Sequence, residues 1–366
     1  MKVVFDGFWW GAGPPSLRHV MREIVFAWRE AFPDDELTMV TRTRHRVTDR
    51  DDVPPTVAVV ESRLWPQALF ARRAVRRAAR RAGADAVLTH NFAAQTPRVV
   101  SATYLHDVLF VTNPEWFTRL ELLYFSLMER WVTSADIVFA SSRSEARRIA
   151  EFSDAGFVVP VGLGLSRELI DADKPDDADP TLTPGGFLLS VGRLNVRKNL
   201  ERTILAALDR GLLWRERPLV VVGEPDGKVD GVDERVANAI GSGAVVFTGF
   251  VSEDRLRWLY RNTALFVFMS LGEGYGMPPV EAAYFGAPVL TSDLDVFHEN
   301  LGGLARYAPS TDVAAIGAAM TSALRADGPC GRRPRGGEGL AHTHDWAATV
   351  RAMRSSMAET QTEVLA

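Results

Sequence analysis

The sequence predicts an α/β protein made of two doubly wound parallel-sheet domains. Short apolar runs alternate with helical patterns, the alternation occurs twice, and an acidic, proline-containing stretch separates the two series. At 366 residues the chain exceeds one ordinary core, so two domains of roughly 100–200 residues each are expected.

The first series runs KVVFD at 2–6, a helical pattern over 16–31, LTMVT at 37–41, AVLTH at 86–90, VVSATYLHD at 99–107 and DIVFAS at 136–141. Residues 1–165 are read as the first domain. The stretch SRELIDADKPDDADPTLTPGG at 166–186 sustains no period and is read as a linker. The second series, over 187–343, comprises FLLSVG at 187–192, a helix over 199–210, PLVVVG at 218–223, AVVFTG at 244–249, a helix over 253–261, ALFVFMS at 264–270, a helix over 277–285 and APVLTS at 287–292. HDWAATVRAMRSSMAETQ at 344–361 is amphipathic at helical spacing and predicts a terminal helix within 344–366, packing back toward the first domain.

Composition narrows the function. With 46% hydrophobic and 24% charged residues the chain reads as globular, and a net charge of −4 opposes general nucleic-acid binding. The opening MKVVFDGFWWGAG lacks a basic segment followed by a long apolar run, and no later run reaches membrane-spanning length, so a cytoplasmic location is expected. The single cysteine, Cys330, lies in DGPCGRRPRGGEG, a predicted loop, and fits a reducing compartment. Of 42 basic residues only Lys2, Lys174, Lys198 and Lys228 are lysine, which makes Lys198 informative within its motif.

That motif is FLLSVGRLNVRKNLERTILAA at 187–207. A buried strand delivers Gly192, Arg193 and Lys198 follow across a short loop, and Asn199 is placed to cap the next helix. Two cations beyond a strand's carboxyl end suit a diphosphate, although an isolated R-x4-K is more often a solvated loop. The second motif is FVFMSLGEGYGMPPVEAAYFGAPVLTSD at 266–293, in which a strand, a glycine-rich turn and a helix opening on Pro278 and Pro279 form an anion cradle. Glu273 lies in the turn and Glu281 on the helix eight positions later. Acceptor-only carboxylates beside a phosphate cradle suit the paired hydroxyls of a sugar or ribose; a mere helix-terminus preference for acidic residues is the equally weighted alternative.

VGRLNVRKNL, the run FTGFVSEDRLRWLYRNTALFVFMSLGEGYGMPPVEAAYFGAPVLTSD and the E-x7-E pair Glu273/Glu281 together resemble the group 1 (family 4) retaining GT-B glycosyltransferases, which include bacterial mannosyltransferases and sucrose synthases. The resemblance is dense over about 187–310. It implies two Rossmann-like domains facing a cleft, with Arg193 and Lys198 on the donor diphosphate, Glu273 by the donor sugar and Glu281 on the ribose. Gly192 precedes the cations, and Gly274, Tyr275, Gly276 and Met277 match the loop whose amides contact sugar and phosphate. In the first half, His106 of YLHD matches a histidine facing the donor sugar, and Gly11, Ala12 and Gly13 match an acceptor or phosphate loop, where Pro14 and Pro15 depart from the family pattern. Alone, His106 reads more readily as a core or surface histidine.

The expected reaction is retaining, metal-independent transfer of a hexose from a nucleotide-diphosphate sugar, GDP-mannose by preference, to a hydroxyl of a glycan, lipid-linked or small-molecule acceptor, in polysaccharide biosynthesis. No cofactor is expected beyond the nucleotide-sugar co-substrate. A sugar-nucleotide epimerase or phosphorylase on the same fold, or a non-catalytic donor-binding subunit, are the alternatives. A redox dinucleotide site is weak, since Ser16 stands where G-x-G-x-x-G needs its third glycine. The D-x-D triplets Asp293-Leu294-Asp295 and Asp171-Ala172-Asp173 are read as chance, and no metal site is assigned. Phe8, Trp9, Trp10 and Trp116 are candidates for stacking on a sugar or aglycone, with buried packing as the equally weighted alternative. LFARRAVRRAARRAG at 69–83 aligns Arg72, Arg76 and Arg80 in one helical row and Arg73, Arg77 and Arg81 in the next, a basic face that either meets water or contacts anionic lipid.

Overall fold

The computed structural model describes residues 1–43, 53–171, 175–192, 195–223, 233–326 and 337–365. They divide into one unit of Met1–Thr112, Arg119–Gly164 and His344–Ala366, and a second of Asn113–Thr118 and Leu165–Thr343. Each contains one wholly parallel sheet, as the alternating pattern predicts.

In the first unit the strands are β1 (Lys2–Gly7), β2 (Glu36–Arg42), β3 (Ala58–Ser62), β4 (Ala86–His90), β5 (Val100–Leu105), β6 (Ile137–Ala140) and β7 (Val158–Pro160), in the order β3-β2-β1-β4-β5-β6-β7. In the second they are β8 (Leu188–Val191), β9 (Leu219–Val222), β10 (Val245–Gly249), β11 (Leu265–Phe268), β12 (Val289–Ser292) and β13 (Ala305–Ala308), in the order β10-β9-β8-β11-β12-β13. Helices on both faces explain why the central strands are continuously apolar. Leu189, Val220 and Phe266 pack in one core cluster, while their chain neighbours Leu188, Val221 and Val267 pack in another. Alternate residues of a strand point to opposite faces, so one run of sequence feeds two cores.

Both sheets reverse their order in the middle, where β1 lies beside β4 and β8 beside β11. At such a reversal the connecting helices leave in opposite directions and open a crevice outside the strands' carboxyl ends. The segments that leave β8 and β11 carry Lys198 and Glu273.

Residues 166–186, expected as a linker, are held to the second unit where they are described. Arg257, completely buried on the Glu253–Asn262 helix, donates from Nε to the Leu169 carbonyl at 2.9 Å and from Nη1 to that of Pro175 at 3.3 Å. Residues 172–174 lie outside the described residues, and with them Asp173 of the second D-x-D triplet. The final helix, Trp346–Leu365, packs in the first unit along the helix Pro15–Ala31, burying Trp346, Val350, Met353 and Met357. Its Arg354 grips Asp35 through two hydrogen bonds, Nε to Oδ2 at 2.8 Å and Nη2 to Oδ1 at 3.0 Å. These bonds, outweighing the upward push of burial, help to hold the Asp35 carboxyl at about 2.

Candidate functional site

The site of the second unit begins with two loops tied to each other. After β8 the chain passes Gly192, whose φ of +147° is a conformation L side chains rarely adopt. A Cβ there would lie 3.2 Å from Cε of Lys198, so the glycine leaves room for the lysine to run across it. Asn195 then closes a short turn, Val196–Lys198, by accepting from the Lys198 amide at 3.0 Å. Asn199 occupies the cap position of the Leu200–Asp209 helix, but its side chain makes no cap bond. It reaches instead to the carbonyls of Met269 at 3.0 Å and Ser310 at 2.6 Å, which corrects the expected capping role. The loop after β11 answers with the Leu271 amide donating to the Arg197 carbonyl at 2.8 Å.

The two loops converge on Glu273, which is only 7% exposed. Lys198 Nζ donates to Oε1 at 2.7 Å, Arg197 Nη1 to Oε2 at 2.8 Å, and Ser270 Oγ to Oε1 at 2.7 Å. Burial pushes this carboxyl up, but Arg197 and Lys198 outweigh it and hold it at about 2. Lys198 Nζ also stands 4.5 Å from the centre of the Phe268 ring. One carboxylate between two cations leaves a net charge of +1. Such a cluster accepts from a hydroxyl and attracts an anion, the two demands of a phosphorylated sugar.

Sequence reasoning missed Arg197 and Ser270. It named Arg193, which lies outside the described residues. The available signal was that the basic pair is contiguous, Arg197-Lys198, and that Ser270 ends the run leading to the turn.

Beyond Glu273 the turn is packed tightly. Tyr275 is buried and its carbonyl accepts from Asn300 Nδ2 at 2.8 Å. Gly274 is also buried, and Gly276 has φ +81°, where a Cβ would fall 2.3 Å from the Phe297 ring. Met277 opens the helix Met277–Tyr284, with prolines in its first turn. Glu281, on that helix, accepts at Oε2 from Tyr260 Oη at 2.8 Å. Burial pushes Glu281 up to about 7 despite that hydrogen bond. Tyr260 was not singled out from sequence, since an aromatic in an apolar helix pattern reads as core.

In the first unit a polar cluster occupies the corresponding ends of β1, β4 and β5. Gln67, almost fully buried, accepts at Oε1 from Tyr124 Oη at 2.8 Å and Trp9 Nε1 at 3.1 Å, and donates to the His90 carbonyl at 3.0 Å. The Trp9 ring lies under Gly13, where a Cβ would come within 2.1 Å of it, so glycine is required there. Gly11 and Gly13 are exposed and Ala12 is half-buried. His106 lies edge-on to His90, with ring centres 5.2 Å apart. Burial pushes His106 down to about 3 and holds His90 well below its usual range, so both are neutral at pH 7. Their Nε2 atoms, and Oδ1 of Asn91, are buried without a hydrogen-bond partner among the described residues. Of the four aromatics considered for stacking, Phe8 and Trp10 are 1% and 2% exposed and belong to the core. They followed strand β1 too closely for sequence to separate packing from recognition. Trp9 and Trp116 are half-buried. Asp293 of the first D-x-D triplet pairs with His298 at 2.6 Å.

Residues 176–329 match the family model for glycosyl transferases group 1. Over that stretch, less than half of its length, the chain is similar to the family. The serotype-specific mannosyltransferase WbdA of Escherichia coli is 32% identical over 210 residues, 54% of this chain and 26% of that protein. The GDP-mannose:cellobiosyl-diphosphopolyprenol alpha-mannosyltransferase of Xanthomonas oryzae pv. oryzae is 30% identical over 206 residues, 55% of this chain and 50% of that one. The chain thus spans about a quarter and a half of these two relatives. Sucrose-phosphate synthase from Thermosynechococcus elongatus aligns over the full length of both chains with a TM-score of 0.70 at 18% identity, which shows the GT-B fold. The group 1 match lies entirely within the second unit and contains Lys198, Glu273 and Glu281.

Proposed function

We propose that this chain is a group 1 glycosyltransferase that moves mannose from GDP-mannose to an acceptor hydroxyl, with retention of anomeric configuration and without a metal ion. The observation that carries this reading is the convergence of Lys198, Arg197 and Ser270 on the buried Glu273 at the order reversal of the second sheet. A cluster with net positive charge and one fixed carboxylate suits a leaving diphosphate beside a sugar that offers hydroxyl donors. The mannosyl donor is supported by the two relatives' names, one of which includes GDP-mannose and a diphosphopolyprenol-linked acceptor. A glycan or lipid-linked acceptor is supported by the second of those names.

In the proposed reaction Lys198, with Arg193 of the sequence motif and Arg197, stabilises charge as the bond from the anomeric carbon to the diphosphate breaks. Each well-placed donor contributes about 3–4 kcal/mol to such a transition state. The acceptor oxygen bonds to the anomeric carbon on the same face, and its proton passes to a donor phosphate oxygen. Glu273, held ionised, orients the sugar by accepting from its hydroxyls and does not attack. Glu281 takes the ribose hydroxyls, and Gly274 to Met277 line the sugar and phosphate.

The test is to incubate GDP-mannose with the protein, with and without polyprenol-diphosphate-linked oligosaccharide, in the presence of a chelator. Release of GDP and an α-mannoside only when acceptor is present, reduced about 10²–10³-fold by Lys198→Ala, is expected. Wild-type rates in that variant would sink the assignment of the cluster. A changed sugar in the donor-only reaction would point to an epimerase.

A further inference from the structure

We infer that the first unit carries a docking surface for an anionic lipid bilayer, formed jointly by the arginine-rich helix and an exposed leucine stripe on the helix Arg119–Val132. The arginine run folds as a short helix Gln67–Leu69, a wider π-helical segment Phe70–Val75 and the α-helix Arg76–Ala82. Arg72, Arg73, Arg76, Arg77, Arg80 and Arg81 together line a single open concavity of about 440 Å³. All but the half-buried Arg76 are exposed, and among the described residues none of the six is paired with a carboxylate. In a chain with net charge −4, six guanidinium groups gathered without counter-charge form a local anion-attracting field.

The leucine stripe supplies what charge alone does not. Leu120, Leu123 and Leu127 are 78%, 66% and 37% exposed. At about 100° per residue they fall within an arc of roughly 60° on one side of their helix. Arg119 and Arg130, both exposed, lie along one edge of that arc, and Trp131 continues it toward the end of the helix. Apolar side chains bordered by arginine are the pattern of a helix lying in the plane of a membrane interface.

Two contacts set the helices side by side. Tyr124 Oη donates to Gln67 at the start of the arginine helix, and the Arg72 guanidinium stacks 4.9 Å from the centre of the Trp131 ring. The arginine concavity therefore abuts the end of the leucine stripe. Trp65, 67% exposed, stands two residues before Gln67 and adds an indole of the kind that anchors at headgroup depth. No helix of the described residues is long and apolar enough to cross a membrane, so contact of this sort is peripheral. A protein partner would need an acidic, leucine-complementary groove; a bilayer of anionic lipid presents both chemistries without further specificity.

The experiment is flotation of the full-length protein with vesicles of phosphatidylcholine alone and of phosphatidylcholine mixed equally with phosphatidylglycerol. Binding to the mixed vesicles, loss of that binding at about 1 M salt where screening reaches ~3 Å, and no binding to phosphatidylcholine are expected. Replacing Arg73, Arg77 and Arg80 by Gln, or Leu120 and Leu123 by Ser, should each weaken binding at least tenfold while leaving the melting temperature unchanged, because these side chains are exposed. Wild-type protein that stays unbound with the mixed vesicles, or variants that bind as tightly as wild type, would overturn the inference. A protein ligand captured by a vesicle-silent chain would likewise count against it.

Discussion

Glu273 and Glu281 share a motif, one in the turn and the other on the helix Met277–Tyr284 that follows, yet their surroundings drive them apart. Glu273 is held at about 2 by Arg197 and Lys198 against the effect of burial, while Glu281, which accepts from the Tyr260 hydroxyl, is pushed up by burial to about 7. A carboxyl group accepts two ribose hydroxyls only when ionised. GDP binding should therefore tighten as pH rises from about 6 to 8 and ionises Glu281, and Glu281→Gln should weaken binding and flatten the profile. A Kd in the wild type that does not change across this range would contradict the role. For Glu273 the depressed folded value means stability that is present above the unfolded carboxyl range and lost as pH falls through the folded one. Glu273→Gln, by removing the carboxylate that two cations pair with, should cost about 2–3 kcal/mol at pH 7. That difference should shrink as pH is lowered from about 4.5 toward 2, and denaturant titrations of both proteins at several pH values measure it. Much of this site is legible from residue types: glycines at tight turns, cations after one strand and carboxylates after another. Which cation meets which carboxylate was not, because pairing depends on how two loops lie across one another.

At the scale of elements, the strands and helices that sequence anticipates are the ones with strong periodicity. The three strands it omitted, β3, β7 and β13, all lie at sheet edges. An edge strand is short and covered on fewer sides, so its pattern carries little apolar signal. Four residues of β3 are exposed, and β7 has only three residues and ends in Pro160. The stretch 166–186 reads as a linker for a similar reason, since what fastens it is a polar side chain elsewhere. Arg257 satisfies backbone carbonyls of Glu168, Leu169 and Pro175 and pairs with Asp254 at 3.0 Å. Arg257→Leu leaves those carbonyls without donors and should destabilise the second unit by about 3 kcal/mol. Protease cleavage within 166–186 should accelerate in the variant, and an unchanged cleavage rate would show that the segment is held by other means.

Across the whole molecule the chain contributes three segments to its first unit, the last of them returning after residue 343. The returning helix is fixed by buried Met353 and Met357 and by the Arg354 to Asp35 pair. Met353→Ala removes a fully buried side chain and should cost about 2–4 kcal/mol. The Glu273 cluster belongs to the second unit, so in the proposed role GDP affinity at temperatures below melting should be unaltered. Isothermal titration beside calorimetric melting distinguishes the two effects. A fall in GDP affinity that parallels the loss of stability would show that the proposed donor site depends on the returning helix.

Sequence by itself determined that there are two parallel α/β units, where their central strands run and which glycine-rich turns and charged residues follow them. Periodicity and turn chemistry are local, and they survive being read one segment at a time. Tertiary structure alone decided that Arg197 clasps Glu273, that Phe8 and Trp10 are core while three leucines are exposed, and that a predicted linker is pinned by a buried arginine. Each of these depends on contacts between residues far apart along the chain, whose burial and partners exist only once the sheets have assembled.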